Sequence, residues 1–379
     1  MAIRKKVLIL YASFGAGHKR AAKAIAEAFY EKHPDIEVKI VDVLDFGFEI
    51  FRRSAPAVFD YVTAEIPFLY KWMYDFYNYH LACKILNNAS DTFIRKRQFI
   101  GFIKDFNPDV ILSTNPLPMH LVSKTKNRKI IDIPSANVCT DFGFHCFWRN
   151  KDVNYYFVQN EEIKNILVSS NVQPEKIKIT GIPVSLKFGR PSDREKILSE
   201  LKFTANQPVL LIVGGKILFK NLLKVVKSVK EKNDLVQFVI IAGRDGKLQK
   251  QLEESGLRQD TSVRVFGFVD NLDEYMSVAD LVFTKAGGLT VSECLAKGLP
   301  MIINDIMPGQ ERDNVDYLVS NNAGIEVKTL EEVVKSIVDL FSHPEKLAEM
   351  KKSCLKISKP NAAVEIADFT ASRMQDYML

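Results

Sequence analysis

The chain has 379 residues, of which 47% are hydrophobic and 26% are charged, and its formal net charge is +6. This length is sufficient for two domains with independent cores, and the sequence contains no internal repeat or low-complexity tract. No apolar run approaches the ~18 residues that span a bilayer, and the first apolar stretch is too short for a signal peptide, so we expect no membrane-spanning segment.

The positive charge is concentrated in the first half of the chain. Residues 1–184 contain 25 Lys and Arg against 19 Asp and Glu, whereas the remaining residues contain 27 of each. This excess predicts an anionic partner, and because no helix-turn-helix, RNA-recognition or zinc-finger pattern is present, we expect a membrane surface rather than nucleic acid. The five cysteines form no C-x-x-C pair, which predicts reduced thiols and a cytoplasmic location.

The first predicted elements are a strand over residues 6–12 and an amphipathic helix over residues 19–32. The connecting loop contains Gly15, Gly17 and His18. The G-x-G pair favours a dinucleotide site, but the third position of that fingerprint is Arg20, which argues against NAD. At a helix N-terminus the imidazole of His18 is kept neutral, as a general base requires. A histidine that only caps the helix is the structural alternative.

Residues 44–103 combine many aromatic side chains with basic ones. Tyr and Trp beside Lys and Arg are typical of a helix at a lipid headgroup layer. The residues that we expect at a membrane are Arg52, Arg53, Trp72, Tyr74, Arg95, Lys96 and Arg97. Packing of these aromatic residues in an ordinary helical core is the alternative, because the segment has too many apolar residues for a cleanly amphipathic helix.

Three further strands are predicted over residues 109–113, 129–133 and 154–158. A loop over residues 139–148 precedes the last of them and is rich in reactive side chains. Its possible zinc ligands are Cys139, Asp141, His145 and Cys146, but no paired spacing supports a zinc site. The expected hinge between the two domains is residues 187–193.

The second half repeats the alternation of strands and helices. Strands over residues 209–213, 238–242 and 263–266 each lead into a glycine turn, which predicts a ligand cleft at the carboxyl ends of the strands. Gly214 and Gly215, with Lys216, allow a nucleotide to approach the backbone, and Phe268 and Val269 are placed to flank its base.

A strand over residues 281–283 turns through Gly287 and Gly288 into a helix over residues 289–297. Uncapped N–H groups and the helix dipole at such a joint form an anion site, best suited to a diphosphate. We place Glu293 in the first turn, where its carboxylate accepts hydrogen bonds from a ribose. After a strand over residues 301–303, sugar hydroxyls are expected to meet Gln310, Glu311 and Asn314.

The segment from Gly287 to Glu293, followed by Pro308-Gly309-Gln310-Glu311 and Asn314, resembles the donor-binding half of two-Rossmann-domain (GT-B) glycosyltransferases of family 28. Within these it is similar to the group that contains MurG and monogalactosyldiacylglycerol synthase. The G-x-G-H loop and the T-D-x-x-x-H-x-x-W pattern of residues 140–148 resemble the diacylglycerol glycosyltransferases of that group.

The resemblance implies an α/β fold with two doubly wound domains facing across a cleft. Their expected bounds are 1–186 for the acceptor- and membrane-binding domain, 187–359 for the UDP-sugar domain, and 360–379 for a helix that packs back on the first domain. It also implies that His18 is the base, that Asp141 assists it, and that the acceptor meets Gly15, Gly17, His145 and Trp148. The donor residues implied are those named above together with Lys285, Leu289 and Thr290.

The expected activity is inverting transfer of glucose or galactose from a UDP-sugar to diacylglycerol at the inner face of the cell membrane. No D-x-D triplet is present, so we expect donor binding without a metal or other cofactor. The alternatives are MurG-like transfer of N-acetylglucosamine to a polyprenyl-linked acceptor, a UDP-sugar epimerase of the same fold, and a binding module without catalysis.

Overall fold

The computed structural model of the chain describes residues 4–376 except 51, 53, 55, 56, 59, 60, 63–65, 67, 69–71, 73–92, 145, 151, 214–221, 244, 245 and 305–308. The chain forms two compact units, each described below by itself. Unit 1 consists of Met1–Leu186, Met307–Asp313 and Lys359–Leu379, and unit 2 consists of Lys187–Ile306 and Asn314–Ser358.

Each unit contains one six-stranded sheet in which every neighbouring pair is parallel. The strands are β1 (Lys6–Tyr11), β2 (Glu37–Asp42), β3 (Val110–Ser113), β4 (Ser135–Val138), β5 (Tyr155–Val158), β6 (Ile177–Ile179), β7 (Val209–Val213), β8 (Gln237–Ile241), β9 (Val263–Phe266), β10 (Leu281–Thr284), β11 (Met301–Ile303) and β12 (Gly324–Glu326). The order is β2-β1-β3-β4-β5-β6 in unit 1 and β12-β11-β10-β7-β8-β9 in unit 2. The predicted α/β fold with two doubly wound sheets is confirmed.

The described α-helices follow the strands along the chain. They are α1 (Gly17–Lys32), α2 (Lys96–Phe106), α3 (Pro116–Asn127), α4 (Glu161–Ser169), α5 (Arg194–Glu200), α6 (Leu222–Lys232), α7 (Gly246–Glu254), α8 (Leu272–Val278), α9 (Gly288–Ala296), α10 (Gln310–Ser320), α11 (Leu330–Ser342), α12 (Pro344–Ile357) and α13 (Ala362–Asp376). Connection of parallel strands through helices covers both sheet faces and brings the carboxyl ends of the strands to one edge.

The core of unit 1 lies on both faces of its sheet. Alternate side chains of β1 enter two different clusters, with Leu8 and Leu10 in one and Val7 and Ile9 in the other. In the second cluster α13 packs against α1, and both helices contribute small buried side chains such as Ala22 and Ala367. Small side chains allow two helices to approach closely. The last helix therefore belongs to the core of the first unit, as predicted.

The core of unit 2 is built around its central strands. Strands β7 and β10 pair with each other, and the first four residues of β7 and all four of β10 are buried. Such continuous apolar strands are typical of a parallel sheet that is covered on both faces. Apolar side chains of α6 and α11 pack on this sheet.

The predicted strand over residues 129–133 is wrong. Helix α3 ends at Asn127, and Lys129 adopts a left-handed backbone with φ 56°, so the chain turns there. The strand is instead Ser135–Val138, whose polar residues find partners in the folded chain. The Ser135 backbone N–H donates to Asn154 Oδ1 (3.0 Å), and Asn137 Nδ2 donates to the Trp148 carbonyl (2.8 Å).

The predicted hinge, residues 187–193, is anchored to unit 2 by lysine side chains. Lys297 Nζ donates to the backbone carbonyls of Arg190 (2.9 Å) and Lys187 (3.3 Å). Lys187 in turn forms an ion pair with Asp273 (2.9 Å). Because Lys297 directly follows α9, this segment is tied to the carboxyl end of the helix that begins at the Gly-Gly joint.

Among the described residues, no helix is long and apolar enough to cross a membrane. Cys139, Cys294 and Cys354 are buried, and none of these three forms a disulfide bond.

Candidate functional site

His18 lies at the carboxyl edge of the unit 1 sheet, where the loop after β1 enters α1. Gly15 in this loop has φ +76°, a backbone conformation that is strained for residues with a Cβ. Ser13 Oγ donates to the carboxylate of Asp42 at the end of β2, which fixes the start of the loop. Gly15 therefore shapes the turn that brings His18 to the sheet edge, while its predicted contact with an acceptor stays a prediction.

Two threonines hold His18. Its Nδ1 lies 2.7 Å from the Thr114 carbonyl oxygen and 3.0 Å from Thr140 Oγ1. The Thr114 hydroxyl also donates to the backbone carbonyl of His18 (2.9 Å). A carbonyl oxygen only accepts hydrogen bonds, so Nδ1 must carry the hydrogen. In the neutral ring this leaves a lone pair on Nε2.

The ring is uncharged at neutral pH. Burial lowers the pKa of His18 from 6.5 to about 4, and the hydrogen bond to the Thr114 carbonyl opposes this in part. The sequence predicted a neutral imidazole but assigned it to the helix dipole, whereas loss of solvation is the main cause. An uncharged imidazole with an available Nε2 has the properties of a general base.

Asp141 was predicted to assist His18. Within the described part of the chain, however, the ring forms its hydrogen bonds with two other residues. They are Thr114, which follows β3, and Thr140, which follows β4. Sequence reasoning missed Thr114 and named Thr140 only as the first residue of the T-D-x-x-x-H-x-x-W pattern, without a role. The signal that could have found them is their position directly after strands that neighbour β1 in the sheet.

The loop over residues 140–148 is anchored at its far end. Trp148 is buried (3% exposed) in the core, and its carbonyl accepts from Asn137. The indole therefore packs in the core of unit 1, and its predicted contact with an acceptor stays a prediction. Asn150, just beyond, donates its N–H to Tyr156 Oη (3.1 Å), and Tyr156 donates back to the Asn150 carbonyl (2.7 Å). His145 lies outside the described residues.

In the middle of this loop Gly143 is in close contact with a side chain of α10. A Cβ at this position would lie 1.8 Å from Asp313 Oδ2. A residue with a Cβ therefore fits at position 143 only if the Asp313 side chain moves. Asp313 and the loop belong to the same unit.

In unit 2 the joint between β10 and α9 lies at Gly287 and Gly288, where the sequence predicts an anion site. Gly287 has an extended backbone (φ −68°, ψ 132°), α9 begins at Gly288, and no side chain caps the helix. The first turn also contains no acidic residue, so its backbone N–H groups present a positive end. Leu289 is buried, while Lys285 and Thr290 are partly exposed.

The prediction that Glu293 lies in the first turn of α9 is wrong, because the first turn of this helix contains no acidic residue. Glu293 is its sixth residue and is only 1% exposed. A carboxylate is rarely buried so fully unless other groups interact with it. Its position one turn further from the helix end keeps it away from an anion at the N-terminus.

The remaining predicted donor residues differ in exposure. Asn314 is fully buried, and its Nδ2 donates to the Ala286 carbonyl (2.8 Å), so it braces the loop before Gly287. Glu311 is 3% exposed, Phe268 is 57% exposed, and Val269 is partly exposed. The structure does not describe Gly214, Gly215 and Lys216, nor the side chain of Gln310.

Most predicted membrane residues that the structure describes lie at the surface of unit 1. Exposed residues are Arg52, Arg95 and Arg97, together with Trp72 (57% exposed), whereas Lys96 is half-buried. Arg53 and Tyr74 lie outside the described residues.

The two ends of the aromatic segment lie side by side. The Phe48 N–H donates to the Phe93 carbonyl (3.1 Å), and Arg95 Nη2 donates to the Gly47 carbonyl (3.0 Å). Both phenylalanines are about half exposed, at 53% and 45%. Apolar rings and guanidinium groups therefore share one surface of unit 1.

Within the described part of the chain, no group of three or more His, Cys, Asp or Glu side chains is arranged to hold a metal ion.

Comparison with known proteins gives consistent matches over both units. Residues 18–184 match the family model of monogalactosyldiacylglycerol (MGDG) synthase, and residues 209–366 match that of the glycosyltransferase family 28 C-terminal domain. The chain is 30% identical over 370 residues to a processive diacylglycerol beta-glucosyltransferase of Bacillus licheniformis, covering 96% of this chain and 94% of that protein. It is 29% identical over 377 residues to the protein of the same name from Bacillus subtilis, covering 97% and 95%.

Solved structures share the fold at lower identity. A UDP-GlcNAc 2-epimerase from Neisseria meningitidis bound to UDP-GlcNAc has a TM-score of 0.61 and 17% identity, covering 97% of this chain and 100% of that chain. MurG of Acinetobacter baumannii has a TM-score of 0.57 and 17% identity, covering 96% and 99%. At these identities the two structures establish the fold alone.

Proposed function

Because the chain belongs to the MGDG synthase family of glycosyltransferases and carries a family 28 C-terminal domain, we propose that it transfers glucose from UDP-glucose to diacylglycerol. The product is a β-glucosyldiacylglycerol. Glucose is chosen over galactose because the relatives that match along almost their whole length are named glucosyltransferases. The family model for residues 18–184 is named for galactosyl transfer, so both donors enter the test.

The observation that carries the mechanism is the His18 ring, uncharged and with hydrogen bonds at Nδ1. Nε2 accepts the proton of the acceptor hydroxyl as the hydroxyl oxygen forms its bond to the anomeric carbon. The bond between that carbon and the diphosphate oxygen breaks, and UDP leaves with the electron pair. One displacement of this kind inverts the configuration, so an α-linked donor gives a β-glycoside. Positioned general bases contribute roughly a hundredfold to ten-thousandfold in rate.

The leaving diphosphate is bound at the N-terminus of α9. The backbone N–H groups of Gly288, Leu289 and Thr290 donate to phosphate oxygens, and Lys285 adds positive charge. A helix N-terminus stabilises a nearby anion by about 0.3–1 kcal/mol, and by up to ~2 kcal/mol where water is excluded. Glu293, one turn further along, accepts hydrogen bonds from the ribose hydroxyls. Donor binding in this way uses no metal ion.

The acceptor is a lipid, and the exposed surface around Phe48, Phe93 and Arg95 supports docking of unit 1 on an anionic membrane. Aromatic side chains insert at the headgroup layer, and each basic residue near an anionic surface adds about 1 kcal/mol. The protein is proposed to act at the inner face of the cell membrane, as a peripheral protein. Nucleic acid is not proposed as a partner.

A UDP-sugar epimerase of the same fold is the main alternative. The likeness to epimerases is one of fold alone, at 17% identity, whereas the sequence matches over both units are to glycosyltransferases. The two activities give different products from the same donor.

The test uses the full chain with liposomes that contain diacylglycerol, and with labelled UDP-glucose, UDP-galactose or UDP-N-acetylglucosamine in separate reactions. Lipid products are separated and their mass and anomeric configuration determined. We expect β-linked glucose on diacylglycerol, and the mass gives the number of hexoses added. A His18→Ala variant should bind UDP as the wild type does while kcat falls about a thousandfold. A donor converted to another sugar nucleotide without any glycolipid would refute the proposal.

A further inference from the structure

The imidazole of His18 is oriented by two uncharged oxygen atoms. The Thr114 carbonyl oxygen lies 2.7 Å from Nδ1, and Thr140 Oγ1 lies 3.0 Å from the same atom. Both threonines are buried, at 0% and 3% exposed, so water does not compete for these contacts. In many hydrolases the corresponding ring nitrogen donates to a carboxylate.

The two oxygens differ in what they determine. The Thr114 carbonyl has no hydrogen to donate and therefore requires the Nδ1–H tautomer. The hydroxyl of Thr140 is a second acceptor for the same N–H and can approach from another direction. The Thr114 hydroxyl also binds the His18 backbone carbonyl (2.9 Å), so Thr114 holds the residue at both its main chain and its ring.

An uncharged partner has a chemical consequence. A carboxylate beside Nδ1 would favour the protonated ring before substrate arrives, and the resting base would lose its lone pair. Oxygens without formal charge leave the partly buried ring neutral at rest. Once Nε2 has taken a proton, the Nδ1–H becomes a charged donor, and hydrogen bonds of charged donors are about twice as strong as neutral ones.

We propose that Thr114 and Thr140 are the positioning residues of the base, and that together they take the place of a carboxylate partner. The proposal rests on the proposed function, in which His18 Nε2 removes the acceptor proton. Thr140 begins the loop over residues 140–148, whose far end Asn137 holds through the Trp148 carbonyl (2.8 Å). The position of this loop therefore determines the orientation of the His18 ring.

The first experiment compares Thr140→Val with Thr140→Ser. Valine keeps the shape of threonine without the hydroxyl, and serine restores the hydroxyl without the methyl group. We expect kcat for glycolipid formation to fall about tenfold in Thr140→Val, with KM for the UDP-sugar unchanged, and to recover in Thr140→Ser. Thr125→Val is the matched control, because Thr125 is also buried and its hydroxyl donates to a backbone carbonyl (2.7 Å), that of Leu121.

The second experiment observes the ring directly and does not depend on activity. In full-length protein labelled with ¹⁵N at histidine, the His18 ring signals are assigned by their absence in His18→Gln. At pH 7 the wild type should show the neutral Nδ1–H tautomer, and Thr140→Val should shift the Nδ1 signal while Thr125→Val leaves it in place.

The outcomes separate this inference from the proposed function. An Nε2–H tautomer in the wild type would overturn the inference whatever the enzyme does. A kcat in Thr140→Val equal to that of the wild type would overturn the role of Thr140. If this variant does not fold, the tautomer seen in the ¹⁵N spectrum of the wild type decides the inference. If the wild type transfers no sugar while the Nδ1–H tautomer is present, the proposed function fails and the hydrogen-bonding arrangement stands.

Discussion

Lowering the pH from 7 to 5 should destabilise the native chain through His18. The pKa of this residue is lowered on folding from 6.5 to about 4 by burial. Below pH 6.5 the unfolded chain therefore binds a proton that the native chain does not, and stability is lost as the pH falls towards 4. The full effect corresponds to about 3 kcal/mol, of which about 2 kcal/mol is lost between pH 7 and pH 5.

The magnitude is measured as a double difference, because many other groups titrate in the same range. The free energy of unfolding in urea is determined at pH 7 and pH 5 for the wild type and for His18→Gln, with both proteins treated by the same unfolding scheme. The loss on acidification should be about 2 kcal/mol larger in the wild type than in His18→Gln. In the pH profile of glycolipid formation, kcat/KM should accordingly fall to half its maximum near pH 4.

Equal losses in the two proteins would show that the ring protonates as readily in the native state as in the unfolded state. An acidic limb of kcat/KM near pH 6.5 would refute the same reasoning independently. Either result would mean that the ring of His18 is better solvated than its contacts with Thr114 and Thr140 imply.

Three further predictions concern the donor, the metal and the membrane. Glu293→Gln should weaken UDP binding about tenfold in calorimetry, because a hydrogen bond to a charged group is replaced by one to a neutral amide. Unchanged affinity for UDP would show that Glu293 does not bind the ribose. EDTA should leave glycolipid formation unchanged, and loss of activity restored by a divalent cation would contradict donor binding by backbone N–H groups alone. Charge reversal of Arg95 and Arg97 to Glu should abolish most of the binding to anionic liposomes in low salt. The control variant Lys352→Glu, on the exposed face of α12 in unit 2, should bind as the wild type does. Equal binding by the wild type, the arginine variant and the control would assign docking to the aromatic side chains.

Local patterns in the sequence were sufficient to predict the fold class and the Gly-Gly joint between β10 and α9. Continuous apolar runs such as Val209–Val213 became strands, and the glycines at 287 and 288 became the start of a helix. The signals are local because a glycine turn or an apolar run acts through its own backbone and side chains. The family resemblance carried by residues 13–18, 140–148 and 284–314 predicted the activity class in the same way.

Tertiary structure alone decided which groups contact the His18 ring. His18 is 96 residues from Thr114 and 122 residues from Thr140, and they meet because β1, β3 and β4 are adjacent in the sheet. The same dependence on distant partners explains why residues 129–133, with three isoleucines, failed to form a strand while Ser135–Val138, with a buried asparagine, did. Strand order and the satisfaction of buried polar groups are properties of the whole fold, so no local pattern encodes them.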